Sequence, residues 1–213
     1  MMSPSTRPYR SELRGRQAQE TRRRIVEAAA RLFAGQGYQA TTLAAIGREA
    51  GVSTETVKNA ASKAELLLAA FEVTFSGSEG AQSLADTEVA DGLLDLPNET
   101  VLDALLEQIT AANARGHALW TVVLGAALSD AVVDGALRGI IARRAADYRR
   151  LVRELVQRGV ATDDVDVETT AAALSFLISP ESYQQLVVQS EWPMKRYRQW
   201  LRTAVLTELG IPG

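Results

Sequence analysis

The stretch from Thr41 to Lys63, TTLAAIGREAGVSTETVKNAASK, constrains this chain more than any other. Leu43, Ile46 and Ala50 fall at i, i+3 and i+7, the spacing of one helical face, with Thr42 placed to cap it. Gly51 follows directly, where a helix needs a left-handed residue to end. Val52 then points back into a small core, and Ser53 stands at the cap of a second helix. Two helices joined by a three- or four-residue turn containing Gly form a helix-turn-helix, whose second helix enters a DNA major groove.

The second helix divides by face. Val57, Ala60 and Ala61 occupy i, i+3 and i+4 and face inward, leaving Thr54, Glu55, Lys58 and Asn59 outward. Asn pairs bidentately with adenine, and Lys donates to guanine O6 and N7. Glu55 either accepts from cytosine N4 or favours the positive end of its helix. Thr42, Ser53 and Lys63 suit phosphate contacts, which position without specifying. With Thr56, inside the 53–59 stretch, these residues make up the expected DNA-contacting set. The alternative is a merely solvated face.

The charge distribution agrees with this reading. Residues 1–66 carry 11 Lys and Arg against 6 Asp and Glu, while the remainder carries 12 against 20. A basic N-terminal third on an acidic body suits a protein that presents one end to phosphates. Residues 1–16 hold Pro4, Pro8 and four arginines without apolar periodicity, which predicts a flexible basic arm. Ile25, Ala29, Leu32 and Phe33 predict a helix over 17–35 ended by Gly35 and Gly37. Arg22, Arg23 and Arg24 sit near its start, where cations are unfavourable, so a phosphate partner or solvation must compensate.

The run TRRRIVEAAARLFAGQGYQATTLAAIGREAGVSTETV resembles the DNA-binding domain of the TetR family of bacterial transcriptional regulators. The matching residues are Thr21-Arg22, Ile25, Ala29, Leu32-Phe33, Gly37-Tyr38, Thr41-Thr42, Ile46, Ala50-Gly51-Val52-Ser53, Thr56-Val57 and Ser62-Lys63. The resemblance departs after Val57. The family usually carries an aromatic residue there and a Phe before the Ser-Lys pair, whereas this chain reads TVKNAASK and is about one residue shorter. It implies an all-α protein with three parts: the arm at 1–16, a helix-turn-helix DNA-binding domain at 17–63, and a helical effector-binding and dimerisation domain at 64–213.

In the body, Glu65 to Phe75 continues helically and looks like the family's connecting helix. A long acidic loop follows, with a short helical turn expected near Val89 to Leu94. A helix capped by Asn98 or Thr100 is expected to end at Arg115-Gly116, before the buried apolar run Ala118 to Leu128. Val132 to Arg158 reads as one long helix with a charged outer face. The segment 166–209 supplies two apolar-striped helices, the first kinked by Pro180 with Ser179 as a cap, the second starting near Pro193. The resemblance assigns these last two helices to homodimerisation, although an intramolecular core would explain the same stripes. Candidate effector contacts are His117, Trp120, Tyr148, Phe176 and Tyr183; core packing accounts equally well for all but His117.

Other classes fit less well. The chain has one His and no Cys, so the Glu-x-x-His pairs of di-metal bundles and cysteine metal sites are unavailable. Phosphate-loop, nucleophile-elbow and zinc-ligand spacings are absent as well, so no enzyme activity, cofactor or metal is expected. The N-terminus lacks a signal-like apolar segment, and the longest nearly apolar run is too short to span a bilayer, which predicts a cytoplasmic protein without membrane association. The expected function is a homodimeric, ligand-responsive repressor that binds a near-palindromic double-stranded DNA operator and is released by a small-molecule effector. The alternative is a degenerate TetR-like dimer that has lost specific DNA binding and acts through protein or ligand binding.

Overall fold

The computed structural model describes residues 7–81, 83, 86–87 and 92–211, and among these the fold is all-α. Helices α1 (Arg7–Ala40), α2 (Leu43–Ala50), α3 (Thr54–Ala60) and α4 (Lys63–Ser76) form the N-terminal part. A 3-10 turn at Leu93–Asp95 leads into α5 (Asn98–Ala127) and α6 (Ala131–Gln157). The chain closes with α7 (Val167–Leu177), α8 (Pro180–Tyr183), a π turn over Gln184–Gln189, and α9 (Met194–Glu208).

Two expectations need correction. Helix α1 begins at Arg7, so residues 7–16 of the expected flexible arm are helical; residues 1–6 lie outside the described residues. Pro8 falls in the first turn, where its missing N–H costs nothing, and the helix continues through Gly15 to Ile25. At its other end α1 passes Gly35 and bends at Gly37 (φ 77°, ψ 179°). The bend sets Tyr38 against Phe33, with ring centroids 5.9 Å apart.

The second correction is at Arg115-Gly116, which does not end a helix: α5 runs through it unbroken. A Cβ at Gly116 would lie 3.0 Å from Phe75 Cδ2, so this glycine admits the end of α4 against α5. Arg115 fixes the same contact by donating to the carbonyls of Thr74 (3.2 Å) and Phe75 (3.1 Å). The turn expected near Val89 to Leu94 falls largely outside the described residues. The described turn is Leu93–Asp95, and residues 88–91 lie outside the described residues.

Two apolar clusters fill the molecule. Ile25, Ala29 and Phe33 of α1 pack with Ile46 and Ala50 of α2, Val57 of α3 and Leu66, Leu67 and Phe71 of α4. That cluster continues into the body through Trp120 and Val123 of α5 and Val133 of α6. The second cluster joins Val101 and Ile109 of α5, Tyr148, Val152 and Leu155 of α6, Leu174 of α7, Ile178, and Tyr197, Leu201 and Val205 of α9. The apolar stripes of α7 and α9 are thus largely spent inside the subunit. What they leave outside is Phe176, 64 % exposed, with Val188 of the π turn. The Pro180 restart proceeds as expected: Ser179 Oγ accepts from Ser182 N at 3.1 Å.

Candidate nucleic-acid interface and interior cavity

Local capping sets the geometry of α2 and α3. Thr42 Oγ1 accepts from Ala45 N at 3.1 Å, and Ser53 Oγ accepts from Thr56 N at 3.0 Å. Gly51 adopts φ 67°, ψ 37° and donates its N–H back to Arg48 and Gly47 carbonyls. Gly47 permits the tight crossing, since a Cβ there would lie 3.0 Å from Val52 O. Ser62 and Glu65 close a reciprocal capping box at the start of α4, at 3.2 and 2.7 Å.

The arginines of α1 hold this unit from behind. Arg24 Nη2 donates to Ala50 O at the C-terminus of α2, and Arg22 Nη1 donates to Ala60 O at the C-terminus of α3 (3.2 Å). Arg22 also pairs with Glu79 at 2.6 Å, and Arg23 with Glu20 at 2.6 Å and Glu27 at 2.5 Å. Because α1 begins at Arg7, these arginines lie mid-helix, away from its N-terminus, and Arg22 and Arg24 instead place a cation at the C-termini of α3 and α2, where it is favourable. Gly51→Ala is expected to destabilise the fold by about 1–2 kcal/mol, because the left-handed conformation penalises a Cβ. That Cβ would also meet Arg24 Nη2 at 2.8 Å. Chemical denaturation of both proteins measures the difference.

Val57 is fully buried on the inner face of α3, while Glu55, Lys58 and Asn59 are exposed and Thr54 and Thr56 half-buried. The side chains of Lys58 and Asn59 form no hydrogen bond or ion pair among the described residues, so both are available to an outside partner. Ser53 and Thr42 remain exposed at the helix ends, though their hydroxyls are engaged as caps. Thr56 Oγ1 lies 2.8 Å from Ser53 Oγ. Lys63 is folded back: its Nζ sits 4.4 Å from the Tyr38 ring centroid and 3.4 Å from Gln39 O. Burial lowers the pKa of this ammonium, partly countered by Asp130.

Behind the helix-turn-helix, α4, α5 and α6 border an open-sided cavity of about 600 Å³, with Ser83, Thr87, Leu93, Ile178 and Pro180 also in its wall. Its walls are largely apolar, with Phe71, Phe75, Leu105, Ile109, Trp120 and Leu151 among them; Arg143, Arg144, Asp147 and Tyr148 supply polar groups. Burial pushes the Tyr148 hydroxyl above the ordinary phenol range. Of the five candidate effector contacts, Trp120 and Tyr148 border this cavity. The structure does not bring the other three to it. His117 Nδ1 lies 2.9 Å from Gln184 Oε1 with its ring against Tyr183, Tyr183 stands edge-on to Tyr197, and Phe176 points to solvent. Sequence reasoning missed Phe71, Phe75, Arg143 and Arg144 as cavity residues.

Residues 25–70 match the family model described as "Bacterial regulatory proteins, tetR family". The matched stretch holds the second half of α1, all of α2 and α3, and the first half of α4. The TetR-regulator fold extends over the rest of the chain. A solved structure described as a TetR-family transcriptional regulator from Rhodococcus sp. superposes with a TM-score of 0.71 at 17 % identity, covering 90 % of this chain and 99 % of that one. The SmeT–triclosan complex gives 0.65 at 20 % identity, covering 88 % and 90 %. A γ-butyrolactone receptor, described as ArpA-like, gives 0.56 at 21 % identity, covering 91 % and 98 %. No curated protein matches the chain. No helix among the described residues is long and apolar enough to cross a membrane.

In this TetR-type arrangement the two parts are also joined by a polar latch. Tyr38 Oη donates to Asp130 Oδ2 at 2.6 Å, and Gln39 Nε2 donates to Ser129 Oγ at 3.2 Å. Asp130 simultaneously caps α6 by accepting from Val132 N and Val133 N. The Tyr38 hydroxyl, foremost, holds the Asp130 carboxyl below the usual carboxylate range; burial opposes this, while the Val133 and Val132 N–H groups and Lys63 assist. A carboxyl depressed by folding contributes stability that is present above its unfolded pKa of about 4 and is lost as pH falls through the folded value. The melting temperature should therefore fall between pH 5 and pH 3. Asp130→Asn, which still caps α6, should flatten that fall; a variant whose acid limb matches the parent's would count against the latch.

Proposed function

We propose that the protein is a homodimeric, ligand-responsive transcriptional repressor that binds a near-palindromic operator through residues 53–59 and is released by a small-molecule effector. The observation that carries this reading is α3, which buries Val57 and turns Lys58 and Asn59 outward with no partner in the described residues. Lys58 and Asn59 would read base edges, with Glu55 and Thr54 beside them. Thr42, Ser53, Thr56 and Lys63 would contact the backbone.

A two-fold dimer would place one α3 in each of two half-sites. Phe176 and Val188, apolar and exposed in the segment 166–209, favour that segment as the dimer face. The cavity behind α4 is the candidate effector site, with Trp120 and Tyr148 in its wall. The printed descriptions of SmeT with triclosan and of the γ-butyrolactone receptor support small-molecule binding in this fold. The effector acts by differential affinity, favouring a subunit arrangement with the wrong spacing between recognition helices. The work is that of a DNA-bound cytoplasmic regulator and requires no catalysis, cofactor or metal.

Selection of genomic fragments by the full chain at physiological salt, followed by footprinting, tests the reading. The expected result is a protected near-palindrome whose occupancy survives competitor DNA. Recovery of unselected fragments with weak, steeply salt-dependent binding would instead favour a TetR-like dimer that has lost specific DNA recognition.

A further inference from the structure

We infer that the cavity selects an amphipathic anion: an apolar body carrying one carboxylate-type oxygen head, seated where Trp120 faces Arg144. This rests on reading the cavity as the effector site and adds the chemical class of the effector. Trp120 is 2 % exposed, and its Nε1–H is buried without an acceptor. Arg144 stands beside it, with Cζ 5.6 Å from the indole ring, and its Nε–H is likewise buried without an acceptor. The only carboxylate Arg144 reaches among the described residues is Glu181, at 3.3 and 3.4 Å, near the long limit of a hydrogen bond. Arg143, which also borders the cavity, has no ion pair among the described residues. The wall here therefore offers two orphaned donors and two guanidinium groups, with Glu181 at the long limit of Arg144's reach and Asp147 paired with Arg150. A buried donor without an acceptor costs free energy, and an oxygen anion is its complement.

Of the carboxylates that line the cavity, Glu72, Asp95, Asp147 and Glu154, Asp147 is ion-paired with Arg150. Asp147 also accepts from Ser83 Oγ at 2.8 Å, and Glu72 accepts from Gly80 N at 2.7 Å. Glu154 stands eleven residues along α6 from Arg143, about 16 Å away at 1.5 Å per residue. The cavity thus carries Arg143 and Arg144 in its wall toward Trp120, apolar side chains along Leu105 and Ile109, and Glu154 at the far end of α6. A ligand with one anionic head has one favoured orientation.

Decanoate, decanol and decylamine share a chain and differ in the head. Titrated into the full-length protein, with tryptophan fluorescence and melting temperature as readouts, decanoate should bind at least about tenfold more tightly than decanol, with decylamine weakest. Arg144→Met should weaken decanoate about tenfold, equivalent to about 1.4 kcal/mol, and leave decanol within about twofold. Should Arg144→Met lose its cooperative melt, Arg143→Glu decides alone, since it should move the preference from decanoate toward decylamine. Equal affinity for the three heads, no binding of any, or an unchanged preference in Arg143→Glu would overturn the assignment. Binding is read without DNA. Failure of the regulatory reading would appear separately, as decanoate-bound protein with unselective DNA binding.

Discussion

Phe71→Ala should lower the stability of the whole chain by about 3–5 kcal/mol, the cost of removing a buried aromatic side chain and leaving a void. Phe71 is 5 % exposed and lies where α4 meets both the N-terminal cluster and the body. Its ring is 5.5 Å from Phe75 and 5.1 Å from Trp120, so truncation removes two aromatic contacts along with the burial. For a chain of this length each kcal/mol moves the melting temperature by about 2–4 °C, giving an expected drop of roughly 6–20 °C by calorimetry. The vacated ring also opens directly into the cavity, since Phe71 is part of its wall. Surroundings that collapse onto the gap would bring the loss toward the lower end. A loss below about 1 kcal/mol would mean that Phe71 does not tie the two clusters together.

The second large effect falls on DNA. On the proposed function, Lys58→Ala and Asn59→Ala should each lose roughly 1–3 kcal/mol at particular base pairs of the selected operator, because each bidentate base contact discriminates by about that much. Both residues lie on the exposed face of α3, away from Val57, so the fold should keep its stability within about 0.5 kcal/mol of the parent. Titrations against operators altered one base pair at a time separate the two roles. A base reader loses its preference at one position, whereas a phosphate contact weakens every sequence alike and reduces the salt slope. Uniform weakening in both variants would move Lys58 and Asn59 from base readout to backbone positioning.

The helix-turn-helix was legible because its determinants are local. Thr42, Gly51 and Ser53 act within three or four residues of themselves, and their roles follow from capping and from the left-handed conformation at Gly51. The same local logic failed at Gly116. There a glycine that reads as a helix stop serves a contact with Phe75, some forty positions away in the chain. Arg22 and Arg24 looked misplaced because the helix was expected to start near residue 17; α1 begins at Arg7, and the carbonyls these arginines meet belong to other helices. The cavity is the least legible feature. Trp120 and Tyr148 could be named from type and helix position. Arg143 and Arg144 read as part of a charged outer face, and only the packing of α4, α5 and α6 places them beside a void.

Helix α4 is buried on two sides, toward α1 and toward α5, and this limits how the molecule can be taken apart. A fragment ending at Ser76 would leave Phe71 and Phe75 without Trp120 and Gly116 to cover them. The N-terminal portion is thus not a detachable reading head carried by an independent sensor. Protease resistance and amide protection should rise and fall together on both sides of α4, and a molecule lodged beside Phe71 would steady α2 and α3 through shared walls rather than through a hinge.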